Sequence, residues 1–215
     1  MKLLEAMLNR RSIRVYNDKE IPDDMLHSIL EAGLLSPSSR NLCPVELITV
    51  KDKDMLCQLA RAKTAGSGML KNAFCAIIVI GDSNKSDAWI ENCSLSMIYM
   101  QLRAAELGIA NCWVQCRNRI SQQKKGEPLS DVIEDAAQEH ITDGIISTEQ
   151  MVAKRSAANA NDKDNLSSDT FIKQLLDIPE NYSVLAMLSL GMTDKMIESY
   201  TTEKANFTKV HKEKF

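Results

Sequence analysis

One long predicted helix limits how this chain can fold. Residues 86–107 are apolar at so many helical positions that little polar surface is left around the helix axis. The apolar members of this stretch are Trp89, Ile90, Cys93, Leu95, Met97, Ile98, Tyr99, Met100, Leu102 and Leu107. A helix of this kind is buried, either in the core of a domain or against another subunit. Gly108 follows directly and predicts the end of the helix.

A second apolar stretch, residues 74–81, predicts the centre of a sheet. It is apolar at almost every position, which is typical of a strand covered on both faces. Further strands are predicted at residues 45–50, 111–116 and 182–191. Helices are predicted around Leu3 to Leu8, after Pro22, at residues 52–62 and at residues 171–177.

Charge and hydropathy exclude several classes of protein. The chain of 215 residues has 26 basic and 29 acidic side chains, so it lacks the basic surplus that nucleic-acid binding requires. The N-terminus has no apolar core of a secretion signal, and the longest nearly uncharged apolar run is far shorter than a membrane span. We therefore expect a cytoplasmic protein with no membrane or nucleic-acid partner. The six scattered cysteines are expected to be reduced thiols.

Residues 121–170 differ in character from the rest of the chain. They carry ten acidic and five basic side chains and no aromatic residue. Residues 153–169 are mostly Ala, Ser, Asn, Asp and Lys, a composition with little to bury. We interpret residues 1–215 as a single domain in which residues 121–170 are an insertion, folded in part and mobile at its end.

The strongest polar feature is the basic stretch at residues 10–14. Arg10, Arg11 and Arg14 lie within five residues, with Ser12 among them. Guanidinium groups bind phosphates and developing anions through two parallel hydrogen bonds. A run of charge is more often a solvated surface, so the stretch alone leaves both interpretations open. No motif for a metal site, a nucleophilic serine or a glycine-rich phosphate loop is present.

A second polar segment follows the second predicted helix. Ser36, Pro37, Ser38, Ser39, Arg40 and Asn41 lie there, just before a predicted strand. Serine and asparagine side chains on a loop fixed by proline present donors and acceptors to a flat polar heterocycle. A capped turn without a ligand explains the same residues equally well.

Taken in order, three segments of this chain resemble the nitroreductase family of flavoproteins. They are residues 10–16, residues 36–41 and residues 107–115, and their spacing also fits. Residues 178–182, the strand ending at Gly191 and residues 209–215 are similar to the closing segments of small family members. Cys43 and Val45 depart from the pattern, which often has a glutamine and an aromatic residue there. The resemblance covers residues 1–119 and 171–215.

The resemblance implies a fold, an assembly and a cofactor. The implied fold is α+β, an α/β/α sandwich around a central mixed, mainly antiparallel sheet. The implied assembly is an intertwined homodimer in which each flavin, an FMN, is held at the subunit interface. Insertions after the strand that ends near residue 116 form a lid in some family members, so residues 121–170 are either such a lid or a surface excursion.

The resemblance also assigns flavin contacts residue by residue. Arg10 and Ser12 would hold the phosphate and ribityl end, Arg11 would contribute mainly backbone contacts, and Arg14 would approach the N1 and O2 edge of the ring. The other subunit would supply Pro37, Ser38, Ser39 and Asn41. The backbone of Val114, Gln115 and Cys116 would lie near the flavin N5. Lys209 is the expected tail contact to the phosphate, with Lys204 as the alternative.

The implied activity is hydride transfer from NAD(P)H through FMN to a small acceptor such as a nitroaromatic or a quinone. The cofactor carries this chemistry, so no protein catalytic residue is expected. Three alternatives stay open: a flavin-binding dimer without turnover, a flavin-fragmenting or dehalogenating family member, and a purely structural helical dimer. The dehalogenating alternative is disfavoured, because residues 121–170 contain no tyrosine to grip an iodotyrosine.

Overall fold

The protein is described here by a computed structural model, which covers residues 3–129, 164–196 and 198–214. Five helices and six strands lie in these residues. The helices are α1 (Leu3–Asn9), α2 (Asp23–Leu34), α3 (Lys53–Leu59), α4 (Trp89–Glu106) and α5 (Ser168–Leu175). The strands are β1 (Val45–Val50), β2 (Cys75–Asp82), β3 (Ala110–Gln115), β4 (Ile120–Lys124), β5 (Asn165–Ser167) and β6 (Tyr182–Gly191).

Four strands form the central sheet in the order β1-β2-β6-β3, and all three pairings are antiparallel. The predicted central strand is β2, and seven of its eight residues are buried. Beyond β3, Ser12 forms a parallel bridge with Asn111, and Ile13 N–H donates to Asn111 O at 2.9 Å. The sheet is therefore mixed and mainly antiparallel, as predicted.

Helices cover both faces of the sheet. Side chains alternate between the faces along each strand, so the sheet separates two apolar cores. One core holds residues of α3 and α5, and the other holds residues of α2 and α4. The α/β/α sandwich that the sequence predicted is confirmed.

Helix α4 is less completely buried in the single chain than its composition predicted. Its inner face, from Asn92 to Ala104, is covered by the sheet and α2. Leu95 and Tyr99 point outward, with 36% and 41% of their surface exposed. Gly108 ends the helix as predicted, in a left-handed conformation with φ of 74°. Gly108 N–H donates to Ala105 O at 3.2 Å in this terminal turn.

The ends of residues 121–170 are integral to the domain. Strands β4 and β5 form an antiparallel pair, and Ser121 and Gln123 of β4 are buried. Ser168 was predicted to lie in the mobile end of the insertion, but it is fully buried and its Oγ donates to Ala62 O at 2.5 Å. Helix α5 starts at Ser168 rather than at residue 171 because the Ser167 hydroxyl caps it. Residues 130–163, most of the predicted insertion, lie outside the described residues, so the prediction that the insertion is folded in part remains a prediction.

Among the described residues, no helix combines the length and the apolar character needed to cross a membrane.

Candidate functional site

The basic stretch runs alongside β3 and divides its side chains between the two faces of the sheet. The bond from Ile13 to Asn111 holds it extended, so alternate side chains point in opposite directions. Ile13 is buried, and with Arg11 it lines a cleft at the C-terminal end of α4. Ser12 and Arg14 lie on the other side, next to Cys112.

The pKa of the Cys112 thiol indicates which positively charged side chains lie on that side of the sheet. Burial raises the pKa of this thiol, whereas the positive charges of Arg14, Lys63 and Arg10 and a hydrogen bond with Ser12 act to lower it. Charges act on one thiol in this way only when they lie close to it. The structure therefore brings together three predicted residues, Arg10, Ser12 and Arg14, and adds Lys63. We call Arg10, Arg14 and Lys63 the cation cluster.

Lys63 was missed by the sequence analysis. It follows the 3-10 turn after α3, and contacts with β4 fix its backbone: Gln122 Nε2 donates to Lys63 O at 3.0 Å, and Thr64 N–H donates to Ile120 O at 3.0 Å. These partners are more than fifty residues away in sequence. No local pattern around Lys63 therefore signals its place beside β3.

The cleft on the other side of the basic stretch is also cationic. Its volume is about 230 Å³, and it is lined by Asn9, Arg11, Ile13, Ala105, Gly108, Ile109, Asn111 and Ser199. At its rim the Arg11 guanidinium lies 3.8 Å from the ring centroid of Tyr200, and the Lys204 ammonium lies 2.9 Å from it. A hydrogen bond with Lys204 and the nearby arginines lower the pKa of Tyr200.

The tail therefore brings Lys204 to the basic stretch. Tyr200 N–H donates to Leu8 O at 2.9 Å, which anchors this part of the tail to the end of α1. Lys209 lies in an exposed turn further along, where its N–H donates locally to Asn206 O. Of the two tail lysines considered from the sequence, the structure places Lys204 beside Arg11.

The end of β3 offers one main-chain position to a ligand. Asn111 O faces the basic stretch. Main-chain groups of every second residue in a strand point to the same side, so those of Gln115 also face this open edge of the sheet. Cys116 N–H instead donates to Leu185 O of β6 at 3.1 Å, and Val114 is paired with Met187 of β6. Cys116 is also fully buried, and burial raises the pKa of its thiol to about 12.

The serine loop, residues 36–43, lies at the opposite end of α4. Ser39 N–H donates to Asn92 Oδ1 at 3.0 Å in the first turn of that helix. Ser38 Oγ accepts from Cys43 N–H at 2.9 Å, which closes the loop. Pro37 and Asn41 are exposed. All four predicted loop residues are thus near the N-terminus of α4, whereas the basic stretch is near its C-terminus.

The two halves of the predicted site are therefore far apart within one chain. Helix α4 has 18 residues, and at 1.5 Å per residue it is about 27 Å long. The serine loop also leads into β1, whereas the basic stretch borders β3, and these are the two edges of the sheet, about 14 Å apart. One chain alone does not close both halves around a flavin ring.

Comparisons with known proteins identify the family. The family model described as "Nitroreductase family" matches residues 7–146, well over half of the chain. The chain belongs to the nitroreductase family. The solved structure of an FMN-dependent nitroreductase from Clostridium difficile is 33% identical, covers 99% of both chains and superposes with a TM-score of 0.75.

Two further matches extend this nitroreductase assignment. A protein of Archaeoglobus fulgidus, whose name includes the words NAD(P)H nitroreductase, is 29% identical over 99% of this chain and 98% of its own length. A Bacteroides fragilis nitroreductase crystallised with bound FMN is 21% identical, with a TM-score of 0.59 over 98% of this chain, and shows that the fold is shared.

The donor set of this nitroreductase chain suits a flavin phosphate and ring. The cations and the Ser12 hydroxyl match anionic and carbonyl groups, and the open edge at Gln115 presents main-chain groups to ring heteroatoms. In the described residues no group of His, Cys, Asp and Glu side chains is arranged to hold a metal ion.

Proposed function

We propose that this nitroreductase-family protein is an FMN-dependent oxidoreductase that passes electrons from NAD(P)H to a small acceptor such as a nitroaromatic or a quinone. The observation that carries the proposal is the position of the basic stretch beside β3: Ile13 N–H donates to Asn111 O at 2.9 Å and Ser12 forms a bridge with Asn111, next to the buried thiol of Cys112. The 33% identity over nearly the whole chain to a protein named as FMN-dependent supports the cofactor.

Each part of the chain has a distinct role in this proposal. Arg10 and Ser12 bind the phosphate end, since they belong to the basic stretch and present positive charge and a hydroxyl. Lys204 adds positive charge there, because it lies beside Tyr200, on which the charge of Arg10 also acts. Arg14 and Lys63 place positive charge at the N1 and O2 edge of the ring. When bound, FMN supplies the two-electron chemistry, so the protein binds, orients and polarises rather than attacks.

The separation of the two site halves supports a homodimer in which each site is shared. A two-fold axis across α4 sets two copies of this helix antiparallel, and the serine loop of one subunit then meets the basic stretch of the other. Apolar side chains are available for that interface on α1, at the end of α2 and on α4. They are Leu3, Leu4, Met7, Leu34, Leu35, Leu95 and Tyr99, each at least 36% exposed in the single chain.

The test begins with the purified protein and added FMN. We expect the visible absorption of oxidised flavin to co-elute with a dimer, and NADH or NADPH to bleach it under anaerobic conditions. Reoxidation by a nitroaromatic or a quinone completes the assay. Protein that fails to bind FMN contradicts the proposal, and protein that binds FMN but resists bleaching by both nucleotides is a flavin-binding dimer without turnover.

A further inference from the structure

The serine loop contains three non-glycine residues in left-handed backbone conformations. Arg40, Asn41 and Cys43 have positive φ values of 53°, 54° and 45°. Left-handed conformations are unfavourable for residues other than glycine, although asparagine tolerates them better. Three such residues within four positions persist only where surrounding contacts fix the loop. The contacts that fix it are therefore part of any site the loop builds.

Among the contacts that the loop makes with itself and with its neighbours, four involve a side chain that can hold it in place. Ser38 Oγ accepts from Cys43 N–H within the loop, and Lys85 Nζ donates to Cys43 O at 3.1 Å. Arg40 pairs with Asp87 at 2.6 Å, but both side chains are more than 60% exposed. Exposed ion pairs contribute little because water and salt screen them. The fourth contact, from Ser39 N–H to Asn92 Oδ1, is the one whose side chain is buried.

Asn92 is held in one orientation by a second buried residue. Its Nδ2 donates to Ser86 Oγ at 3.3 Å, and Ser86 Oγ also accepts from Ala88 N–H at 3.2 Å. Asn92 and Ser86 each have only 2% of their surface exposed. The Ser86 contact directs the amide nitrogen away from the loop, so the amide oxygen faces Ser39 N–H. A buried hydrogen bond with a fixed acceptor is stronger and more directional than the exposed pair at Arg40.

We propose that Asn92 is a positioning residue for the flavin site: its amide, oriented by Ser86, fixes the left-handed serine loop that is presented to the flavin of the other subunit. Asn92 does not contact the cofactor in this role, and it acts through Ser39. The inference rests on the proposed function, because the serine loop positions a cofactor only if the loop faces one. It explains why a buried helix turn carries an asparagine, a residue with low helix propensity.

The experiment compares Asn92→Ala and Ser86→Ala with a matched control on the same helix. Ser96 lies one turn further along α4, is fully buried, and has no hydrogen-bond partner for its Oγ among the described residues. Ser96→Ala therefore removes a buried hydroxyl from α4 without releasing the loop. FMN affinity is measured by quenching of flavin fluorescence in all three variants and in the wild type.

We expect Asn92→Ala to weaken FMN binding by about tenfold, the effect of losing one buried hydrogen bond. Ser86→Ala is expected to give a smaller loss in the same direction, because the Asn92 amide then keeps its oxygen near Ser39 for only part of the time. Ser96→Ala should bind FMN like the wild type. Equal affinity of Asn92→Ala and the wild type overturns the inference.

Cys43 provides a second readout that does not depend on turnover. It is exposed and lies in the loop itself, so a thiol reagent reports on the loop directly. We expect FMN to slow alkylation of Cys43 in the wild type and in Ser96→Ala, and to protect it much less in Asn92→Ala at saturating FMN. Equal protection in all variants shows that Asn92 does not position the loop. A wild type that fails to bind FMN contradicts the proposed function instead, so the two failures are distinguishable.

Discussion

Single side chains determine the electrostatics of the candidate flavin site. Arg14 is exposed, with Nη1 donating to Ser12 O at 3.3 Å, and its charge acts on Cys112 together with that of Lys63. Arg14→Ala is expected to lower FMN affinity or the rate of flavin reduction by about tenfold or more, the effect of one lost charge-assisted contact. Lys63→Ala is expected to act in the same direction.

The control for these two variants is Lys51→Ala. Lys51 lies at the end of β1, the opposite edge of the sheet from β3, and its substitution changes the net charge equally. Stopped-flow spectroscopy measures the rate of flavin reduction, and fluorescence titration measures the FMN affinity. Unchanged binding and reduction in Arg14→Ala contradict the placement of Arg14 at the ring.

The cysteines give a prediction that does not depend on the cofactor. Burial raises the pKa of Cys75 to about 11 and those of Cys93 and Cys116 to about 12. At pH 8 each of these thiols is then ionised in about one molecule in a thousand or fewer, and the thiolate is the reactive form. We expect a thiol reagent to modify Cys43 rapidly and the half-buried Cys57 more slowly in the native protein, and all six thiols after denaturation.

The raised pKa values of the buried cysteines also predict how the free energy of unfolding changes with pH. The native pKa values of Cys75, Cys93 and Cys116 lie above the ordinary value of 9.0. The unfolded chain therefore releases these protons first, so stability is fully present below pH 9 and is lost as the pH rises from about 9 towards 12. Urea titrations at pH 7 and pH 10 measure this loss. A higher free energy of unfolding at pH 10 contradicts the assignment.

At the scale of elements, local pattern predicted most of the sheet and helices, and long-range contacts decided the rest. The strand at residues 74–81 is recognisable from sequence because almost all of its residues are apolar, and seven of the eight residues of β2 are buried. The start of α5 is not recognisable in this way, because Ser168 looks like part of a polar segment until its partner Ala62 is known. Gly191 shows the same limit: a Cβ there would lie 2.5 Å from the Tyr16 ring, a contact across 175 positions.

Two shortened proteins distinguish the ends of the insertion, which pack on the domain, from residues 130–163. Lys125 N–H donates to Asp164 O at 2.8 Å, so the chain returns to its starting point there. Replacing residues 130–163 by about eight Gly and Ser residues is expected to keep the melting temperature within a few degrees, since the entropy of closing a connection changes only slowly with its length. Removing residues 121–170 also removes Ser168 and Asp169, whose Oδ1 accepts from Val184 N–H at 2.7 Å.

We expect this larger deletion to destroy soluble folding, contrary to what the composition of residues 121–170 suggests. Circular dichroism melts and the soluble yield of both deletion proteins measure the difference. Equal stability of the two proteins contradicts the assignment of β4, β5 and the start of α5 to the core domain.

At the scale of the whole molecule, the proposed flavin site is shared between two subunits. The sequence motifs predict both halves of the site, but the distance between the halves depends on α4 and on the strand order, which no motif encodes. If each site combines the basic stretch of one subunit with the serine loop of the other, two impaired variants complement each other. Arg14→Ala impairs the first half, and Ser39→Trp, which places a bulky ring where the flavin is expected, impairs the second.

A mixed dimer of these variants has one site with both substitutions and one site with neither. Random exchange makes half of the dimers mixed, so about a quarter of all sites regain the wild-type composition. We expect co-expression to restore flavin binding and NAD(P)H oxidation to about that fraction in the unsorted mixture. In mixed dimers isolated through two different affinity tags, about half of the sites are intact, whereas each variant alone stays at about a tenth of the wild-type value or below. A site contained within one subunit gives no restoration in the mixed dimer, because every subunit then carries a defect, and that result contradicts the shared site while leaving the family assignment intact.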